Sequence, residues 1–366
     1  MSEGTHPGYL CLEMRGRLAD NYAVVLPRQF PQPPQYPTVS LVIPVHRGGD
    51  AFRLCLDSVR RLSPPPLDVI VVEDGAESVP AAYDPAWTVH ALPARRGPAA
   101  ARNHGALLAR GEVVLFVDAD VMLPPQTIAR VAGTMADPSI DAVIGSYDRH
   151  PTAPNFVSQF KNLAHRYVHQ HAREEGTTFW GACGAMRRAR FLALGGFDQA
   201  YTEPSIEDIE LGNRLTQAGG RIRVRKDLEV THLKRWTLAS LVHTDIRQRA
   251  LPWSALLLRQ GRLPDDLNVS RRARLSVALL FLLALSVAAL PLVDGAAWAA
   301  AACALALVAV DWPLLSYFAA ERGWLFAVQA VPLQWLYYAY SGAAFAWVWL
   351  TGDWRTRRAP RVQEPA

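Results

Sequence analysis

The chain of 366 residues is poor in cysteine, with four, Cys11, Cys55, Cys183 and Cys303, and no Cys-x-x-Cys pair among them. That scatter argues against a thiolate zinc site and a disulfide framework, and it fits a reducing compartment. An apolar leader is also lacking, because residues 1–37 are rich in Pro and Gln and have no hydrophobic core. The large mixed domain that follows is therefore expected to stay in the cytoplasm. Charge is the third scarcity: it nearly vanishes over residues 275–352, whereas the chain up to about residue 270 has the mixed texture of a soluble fold.

The uncharged region divides into three apolar segments, 275–293, 295–310 continued through Asp311 by 312–320, and 323–352. Each approaches or exceeds the ~20 residues that span hydrocarbon. Trp335, Tyr337, Tyr338, Tyr340, Trp347 and Trp349 suit an interface, and Arg271, Arg272 and Arg274 precede the first segment, where anionic headgroups would meet them. A multi-pass position in the cell membrane is expected. Three crossings place Arg355, Arg357, Arg358 and Arg361 outside, against the positive-inside tendency, whereas two crossings with a re-entrant segment keep both basic flanks inside. Both arrangements stay open. Residues 236–274 read as an amphipathic interfacial segment carrying Trp236, Leu238, Leu241 and Trp253 among arginines. The formal net charge is only +5, and its basic residues gather at the membrane boundary and around carboxylates, so no nucleic-acid partner is expected.

Strand and helix alternate through the mixed region. Apolar β-type runs at 38–45, 67–72, 88–92 and 113–117 are separated by helical patterns at 51–62 and from Gly97-Pro98 to about residue 110. This rhythm predicts an α/β fold with a parallel or mostly parallel sheet covered on both faces. Further on, helices are predicted at 124–135, 155–175, 187–194 and from Glu207 to Gly219-Gly220, with strands at 142–147, 221–224 and 228–231. His165 and His169 stand i, i+4 on the second of these helices but lack the Glu of a His-Glu-x-x-His site. A solvated or substrate-facing helix is expected there.

Chemistry gathers where the strand at 113–117 ends, at Asp118-Ala119-Asp120. Side chains at i and i+2 of an extended chain point the same way, and the carboxyl edge of a parallel sheet is the usual place for a site. Two hard oxygen donors suit Mg²⁺ or Mn²⁺, and such an ion suits a diphosphate. Two solvated acids in a strand-to-helix loop would give the same pattern, so the rest of the chain must decide.

Val42-Ile43-Pro44-Val45-His46, Val71-Val72-Glu73-Asp74-Gly75, Gly97-Pro98-Ala99-Ala100-Ala101-Arg102-Asn103, Asp118-Ala119-Asp120, Gly195-Gly196-Phe197-Asp198 and Glu207-Asp208 with Leu211 and Arg214-Leu215 follow one another over residues 38–235. In that order they resemble a family-2 glycosyltransferase of the GT-A fold with a membrane-embedded carboxyl-terminal region. The resemblance implies an α/β GT-A nucleotide-sugar-binding domain with a Rossmann-like mixed sheet, then an α-helical membrane region. Its divisions would be a lead-in at 1–37, the catalytic domain at 38–235, the interfacial segment at 236–274, transmembrane helices at 275–352 and a basic tail at 353–366.

Further implications concern ligands and roles. The donor would be a nucleotide sugar, UDP-linked by preference with GDP-mannose the alternative; the cofactor Mg²⁺ or Mn²⁺; the acceptor a lipid or lipid-linked molecule. Pro44, Val45, His46 and Asp74 would hold base and ribose, the carboxylate accepting from N–H or hydroxyl. Glu73 stands where the family more often has Asp. Arg102 and Asn103 would close over the nucleotide sugar, Asp118 would serve ribose, donor sugar or metal, Asp120 would bind the metal, and His232 would complete the metal or diphosphate site. Asp208 would be the general base, favoured in its ionised form by a helix amino terminus, with Glu207 orienting the acceptor and Trp180, Gly181 and Ala182 lining its side.

One motif departs. Processive members carry Gln-x-x-Arg-Trp, whereas residues 249–253 read Arg-Ala-Leu-Pro-Trp, with Pro in the place of Arg. Single transfer is therefore expected over polymer synthesis. A catalytically silent sugar-nucleotide scaffold is the alternative of another class, and the intact Asp118, Asp120 and Asp208 argue against it.

Overall fold

Seven consecutive buried residues, Val39–Val45, form β1, because a strand covered on both faces reads as an unbroken apolar run. β2 (Asp68–Asp74), β3 (Thr88–Leu92) and β4 (Val113–Val117) join it in parallel, β2 and β4 on its two sides and β3 beyond β2. The computed structural model describes residues 36–75, 83–261, 265 and 269–356. Cys11, Arg357, Arg358 and Arg361 lie outside the described residues.

Beyond β4 come β5 (Val121–Met122), β6 (Ala142–Tyr147), β7 (Glu175–Gly176), β8 (Cys183–Arg187) and β9 (Ile222–His232). The sheet runs β3-β2-β1-β4-β8-β6-β9-β5, with β7 against β9. The expected parallel order holds for the first four strands. It then gives way, since β8 runs against both β4 and β6, and β5 against β9. The sheet is mixed. β9 is one strand where two were predicted: exposed Lys226 and Asp227 lie where the pairing with β6 shifts register between Ile144 and Ser146. That polar pair marks a bulge inside the strand.

Helices cover both faces. α1 (Asp50–Arg60) and α3 (Thr127–Met135) bring Phe52, Leu56, Ile128 and Val131 to the Leu41, Ile43 and Leu115 side. α2 (Pro98–Leu108), α5 (Arg188–Ala193) and α6 (Glu207–Gln217) bring Ala101, Phe191 and Leu211 to the Val42 and Phe116 side. Alternate residues of β1 thus serve opposite cores.

α4 (Phe156–His171) is not the solvated helix its polarity suggested. Ser158, Asn162, Arg166 and His169 are buried, and each has a hydrogen-bond partner, Asn162 on the Asp148 carbonyl at 2.7 Å and His169 on the Gly145 carbonyl at 2.8 Å. The reason lies far along the chain. After α7 (Leu238–His243), a π-helical turn (Thr244–Ala250) and α8 (Leu251–Gln260) come α9 (Arg271–Ala288), α10 (Ala296–Arg322) and α11 (Trp324–Thr351). Phe160 and Leu163 of α4 pack with Leu315 and Phe318 of α10 and Ala327 of α11.

The long apolar helices fall where the sequence put them, and Asp311 does not break α10. Ser276 and Tyr338 donate to its carboxylate at 3.1 and 2.8 Å. Among the described residues one helix, α10, is long and apolar enough to cross a membrane. Leu285, Leu305, Leu325 and Val328 are exposed on this helical region. The segment expected to lie at an interface is packed into the protein, with Leu241, Asp245, Leu256 and Leu257 buried.

An ionic latch fixes the joint. Lys161 of α4 meets both oxygens of Asp245 at 2.7 and 2.8 Å, and the Tyr340 hydroxyl of α11 donates to the same carboxylate at 2.6 Å. Removing one member strands a buried charge. Asp245→Ala is expected to destabilise by about 3–5 kcal/mol, seen as a lower thermal midpoint in detergent. Lys161→Met combined with Asp245→Leu should recover part of the loss; a double variant no better than Asp245→Ala would show that the latch is not electrostatic.

Candidate active site

β4 ends at Val117, and the next three residues turn the chain across the sheet edge. The Asp118 N–H donates to the Ala182 carbonyl at 3.3 Å, and the Leu233 N–H to the Asp120 carbonyl at 2.9 Å. Pairing of Val121 with His232 sets β5 beside the end of β9. The Asp118-Ala119-Asp120 turn is thereby held between β8 and β9.

Arg102 reaches this turn from α2. It is 4 % exposed, and its guanidinium donates to Asp118 Oδ1 at 2.6 Å and to Glu207 Oε1 at 2.8 Å. Three alanines before it, Ala99, Ala100 and Ala101, let α2 lie close to the sheet. Gly181 leaves room on the other side, since a Cβ there would stand 3.1 Å from Arg102. The second Glu207 oxygen accepts from the Ser205 N–H at 2.8 Å. Asp208 accepts from the Gly181 N–H at 2.9 Å and from the Ile209 N–H at 2.8 Å. Asp118, Glu207, Asp208 and the 180–182 segment are thus tied together, as the sequence reading grouped them.

Electrostatics follows from crowding four acids around one guanidinium. Burial, then the neighbouring Glu207 charge, pushes Asp208 up to about 6, against the pull of the Gly181 N–H, Arg102 and Arg249. Asp118 is also pushed up by burial and by Asp120, although Arg102 opposes this. Burial resists the charge on Asp120, but His232 and Lys234 hold that carboxylate below its ordinary range. Two carboxylates of unequal proton affinity therefore share one edge with too little positive charge.

That donor set fits a divalent ion. Asp118 and Asp120 side chains are 33 % and 35 % exposed, so both can be reached from the cleft. Among the described residues no three His, Cys, Asp or Glu side chains are placed to hold a metal alone. His232, expected at the metal or diphosphate site, has its Nε2 3.8 Å from Asp120 Oδ2 and its ring stacked on Tyr147 at 4.3 Å. The site suits an ion that keeps water and arrives with phosphate oxygens.

The nucleotide-side residues are differently engaged. Both oxygens of Asp74 accept from backbone, from the Arg96 N–H at 2.6 Å and the Gly97 N–H at 2.8 Å, and His46 Nδ1 lies 2.8 Å from the Asp74 carbonyl. Gly97 has φ +90, and a Cβ there would fall 2.3 Å from the Thr202 carbonyl oxygen. Asp74 therefore pins the start of α2 at the crevice beside Pro44 and Val45. The Asn103 amide donates to the Phe197 carbonyl and accepts from the Phe197 N–H, both at 2.8 Å, which holds the 195–198 loop. Glu73 accepts from the Tyr83 hydroxyl.

Tyr147 escaped the sequence reading, whereas His165 stands on the helix expected to be solvated or substrate-facing. Tyr147, the last residue of β6, and His165 of α4 form an aromatic cluster with Trp180, with centroids 4.9 Å apart for Tyr147–Trp180 and 5.1 Å for His165–Trp180. The position of Tyr147 at a strand end was the available signal.

Residues 40–195 match the model of glycosyl transferase family 2, and residues 161–236 that of the N-terminal domain of galactosyltransferase. Residues 40–195 of the chain are thus similar to a glycosyl transferase family 2 domain. A pre-mycofactocin glycosyltransferase of Mycobacterium tuberculosis is 30% identical over 247 residues, which are 62% of this chain and 51% of the relative. An N-acetylglucosaminyltransferase of Rhizobium sp. is 27% identical over 184 residues, 46% of this chain and 40% of the relative. The chain thus spans about half the length of the curated relatives it matches. A mannosyltransferase of Pyrobaculum calidifontis, solved with GDP-Man and Mn²⁺, superposes with a TM-score of 0.54 at 20% identity, covering 86% of this chain and 88% of that one. At that identity the likeness carries the fold, which is GT-A. Within this domain, the clasp of Arg102 on Asp118 and Glu207 is the contact between the sheet edge and the helix bearing Asp208.

Two outcomes follow from the charges. Arg102→Met leaves Asp118 and Glu207 buried without a cation and should lower the thermal midpoint; Arg102→Lys, which cannot fork to both acids, should recover little. For Asp208 the folded form binds its proton more tightly than an ordinary aspartate does, so its contribution to stability is present at acid pH and lost as pH rises through about 6. Asp208→Asn should therefore gain on the wild type by up to about 3 kcal/mol between pH 4 and 7. A difference in thermal midpoint between the two proteins that stays the same from pH 4 to pH 7.5 would contradict this.

Proposed function

We propose that the protein transfers one sugar from a nucleoside-diphosphate sugar to a lipid or lipid-linked acceptor, with inversion, while anchored in the cell membrane. The observation that carries this reading is the Arg102 clasp, which sets the donor-side Asp118 and the Glu207-Asp208 pair in one rigid frame. The glycosyltransferase names of the mycobacterial and rhizobial relatives support the activity. A UDP-sugar is the favoured donor and GDP-mannose the alternative.

In this mechanism the backbone at 44–46 and the crevice pinned by Asp74 receive the nucleoside. Asp120, with Asp118, holds a Mg²⁺ or Mn²⁺ ion, which when bound neutralises charge on the departing diphosphate. Asp208, held by the Gly181 and Ile209 N–H groups and raised to about 6, takes the acceptor hydroxyl proton as that oxygen attacks the anomeric carbon. A base of that proton affinity is ionised at neutral pH yet strong enough to accept a proton. Glu207, fixed by Arg102 and the Ser205 N–H, keeps Asp208 in place at the start of α6.

α9, α10 and α11 form the membrane anchor in this reading, with the catalytic domain on the cytoplasmic side. Exposed Leu285, Leu305, Leu325 and Val328 support it, because an apolar surface of that kind is suited to lipid.

The test is a panel of UDP- and GDP-sugars with Mn²⁺ and membrane lipid extract, measuring nucleoside diphosphate release. Asp120→Ala and Asp208→Asn should each lose at least about 100-fold, EDTA should abolish release, and the rate should fall tenfold per pH unit below about 6. Tight donor binding without turnover would point to a silent scaffold. A ladder of long polymer would replace single transfer with processive synthesis.

A further inference from the structure

A cavity of about 500 Å³ lies between α4, α8, α9, α10 and α11. Its walls are largely apolar, with Trp253, Phe281 and Phe345 prominent, but Lys161, Arg249 and Arg272 also reach it. Lys161 is neutralised by Asp245, and Arg272 lies beside the Tyr167 hydroxyl. Arg249 has neither a hydrogen bond nor an ion pair among the described residues. Its strongest charged neighbour is Asp245, whose carboxylate Lys161 and Tyr340 already occupy, and its charge is also felt by Tyr147 and Asp208.

The cavity continues toward the catalytic side. His165 lines it and also meets Tyr147 at 4.7 Å and Trp180 at 5.1 Å, and the residue after Trp180 donates its N–H to Asp208. His165 Nδ1 is buried there with no partner. An apolar chamber of this size takes a chain or ring system of drug-like dimensions. A guanidinium set into its wall with no acid in hydrogen-bonding contact has its donors free for an anion, and phosphate matches its fork.

Resting on the glycosyltransferase reading above, we propose that this cavity seats the acceptor, an anionic lipid. Its apolar chain lies among α9, α10 and α11, its phosphate meets Arg249, and a headgroup hydroxyl extends past His165 and Trp180 to Asp208. In the transfer the hydroxyl oxygen bonds to the anomeric carbon, the bond from that carbon to the diphosphate breaks, and the hydroxyl proton passes to the Asp208 carboxylate. The leaving nucleoside diphosphate carries away the electron pair. A neutral lipid leaves Arg249 unmatched, and a free anion leaves the apolar walls empty.

The test uses the full chain in a neutral detergent and needs no turnover. Decyl phosphate, decanol and inorganic phosphate are titrated against tryptophan fluorescence and thermal midpoint. Decyl phosphate should bind at least tenfold more tightly than decanol, and inorganic phosphate should not register at the same concentrations. Arg249→Gln should weaken decyl phosphate at least tenfold with nucleoside diphosphate affinity unchanged. Ala346→Trp, which fills the chamber, should abolish it; this variant keeps the test open should Arg249→Gln fail to fold. Decanol binding as tightly as decyl phosphate, inorganic phosphate binding as tightly, or no binding by any of the three would overturn the proposal. Binding as expected with no donor turnover would sink the reaction and leave the lipid site standing.

Discussion

A buried guanidinium between two carboxylates sets the terms for the rest of the molecule. Taking Arg102 out of water costs several kcal/mol unless its donors are matched. Here two charge-assisted bonds and the Phe197 ring, 5.4 Å from the guanidinium carbon, offset that cost. Each partner belongs to a different element: Asp118 follows β4, Glu207 opens α6, and Phe197 lies in the loop that Asn103 holds. None can shift without exposing an unpaired charge. Arg102 nonetheless bonds only two of the four acids Asp118, Asp120, Glu207 and Asp208, with Lys234 near Asp120 and Arg249 near Asp208 acting without such bonds. The deficit has two consequences. It makes the Asp118–Asp120 edge receptive to a divalent ion, and it raises the proton affinity of Asp208, which is what a base acting near neutral pH requires.

The elements were largely legible in the sequence because they rest on local pattern. Apolar runs marked β1, β3, β4 and β6 closely, and an uncharged stretch interrupted only by Asp311 became one continuous α10. Site composition was legible too, since Asp118, Asp120 and Asp208 stand at a strand end and a helix start. Partners over distance were not. Nothing local to Asn103 says that its amide will face Phe197, 94 residues on, and nothing local to Asp74 says that Arg96 and Gly97 will occupy both its oxygens. The polar surface of α4 suggested solvent for the same reason: Arg166 meets the Tyr317 hydroxyl of α10 across 151 positions.

The Pro that breaks the processive motif has a structural counterpart. Pro252 lies one residue beyond the π-helical turn 244–250 and brings no N–H to the carbonyl four residues back. That carbonyl belongs to Gln248, and it accepts from the Ser205 hydroxyl at 2.9 Å. Ser205 also donates its N–H to Glu207. A backbone oxygen freed by one proline thus ties the chain between α7 and α8 to the loop that starts α6. The same turn carries Asp245, latched to α4 and α11, and Arg249, facing the cavity. A π turn widens the helix by one residue per hydrogen-bonded ring, and such turns recur at functional sites. Here it gives the acids of α6 and the apolar helices a common support, alongside the direct packing of α4 on α10 and α11.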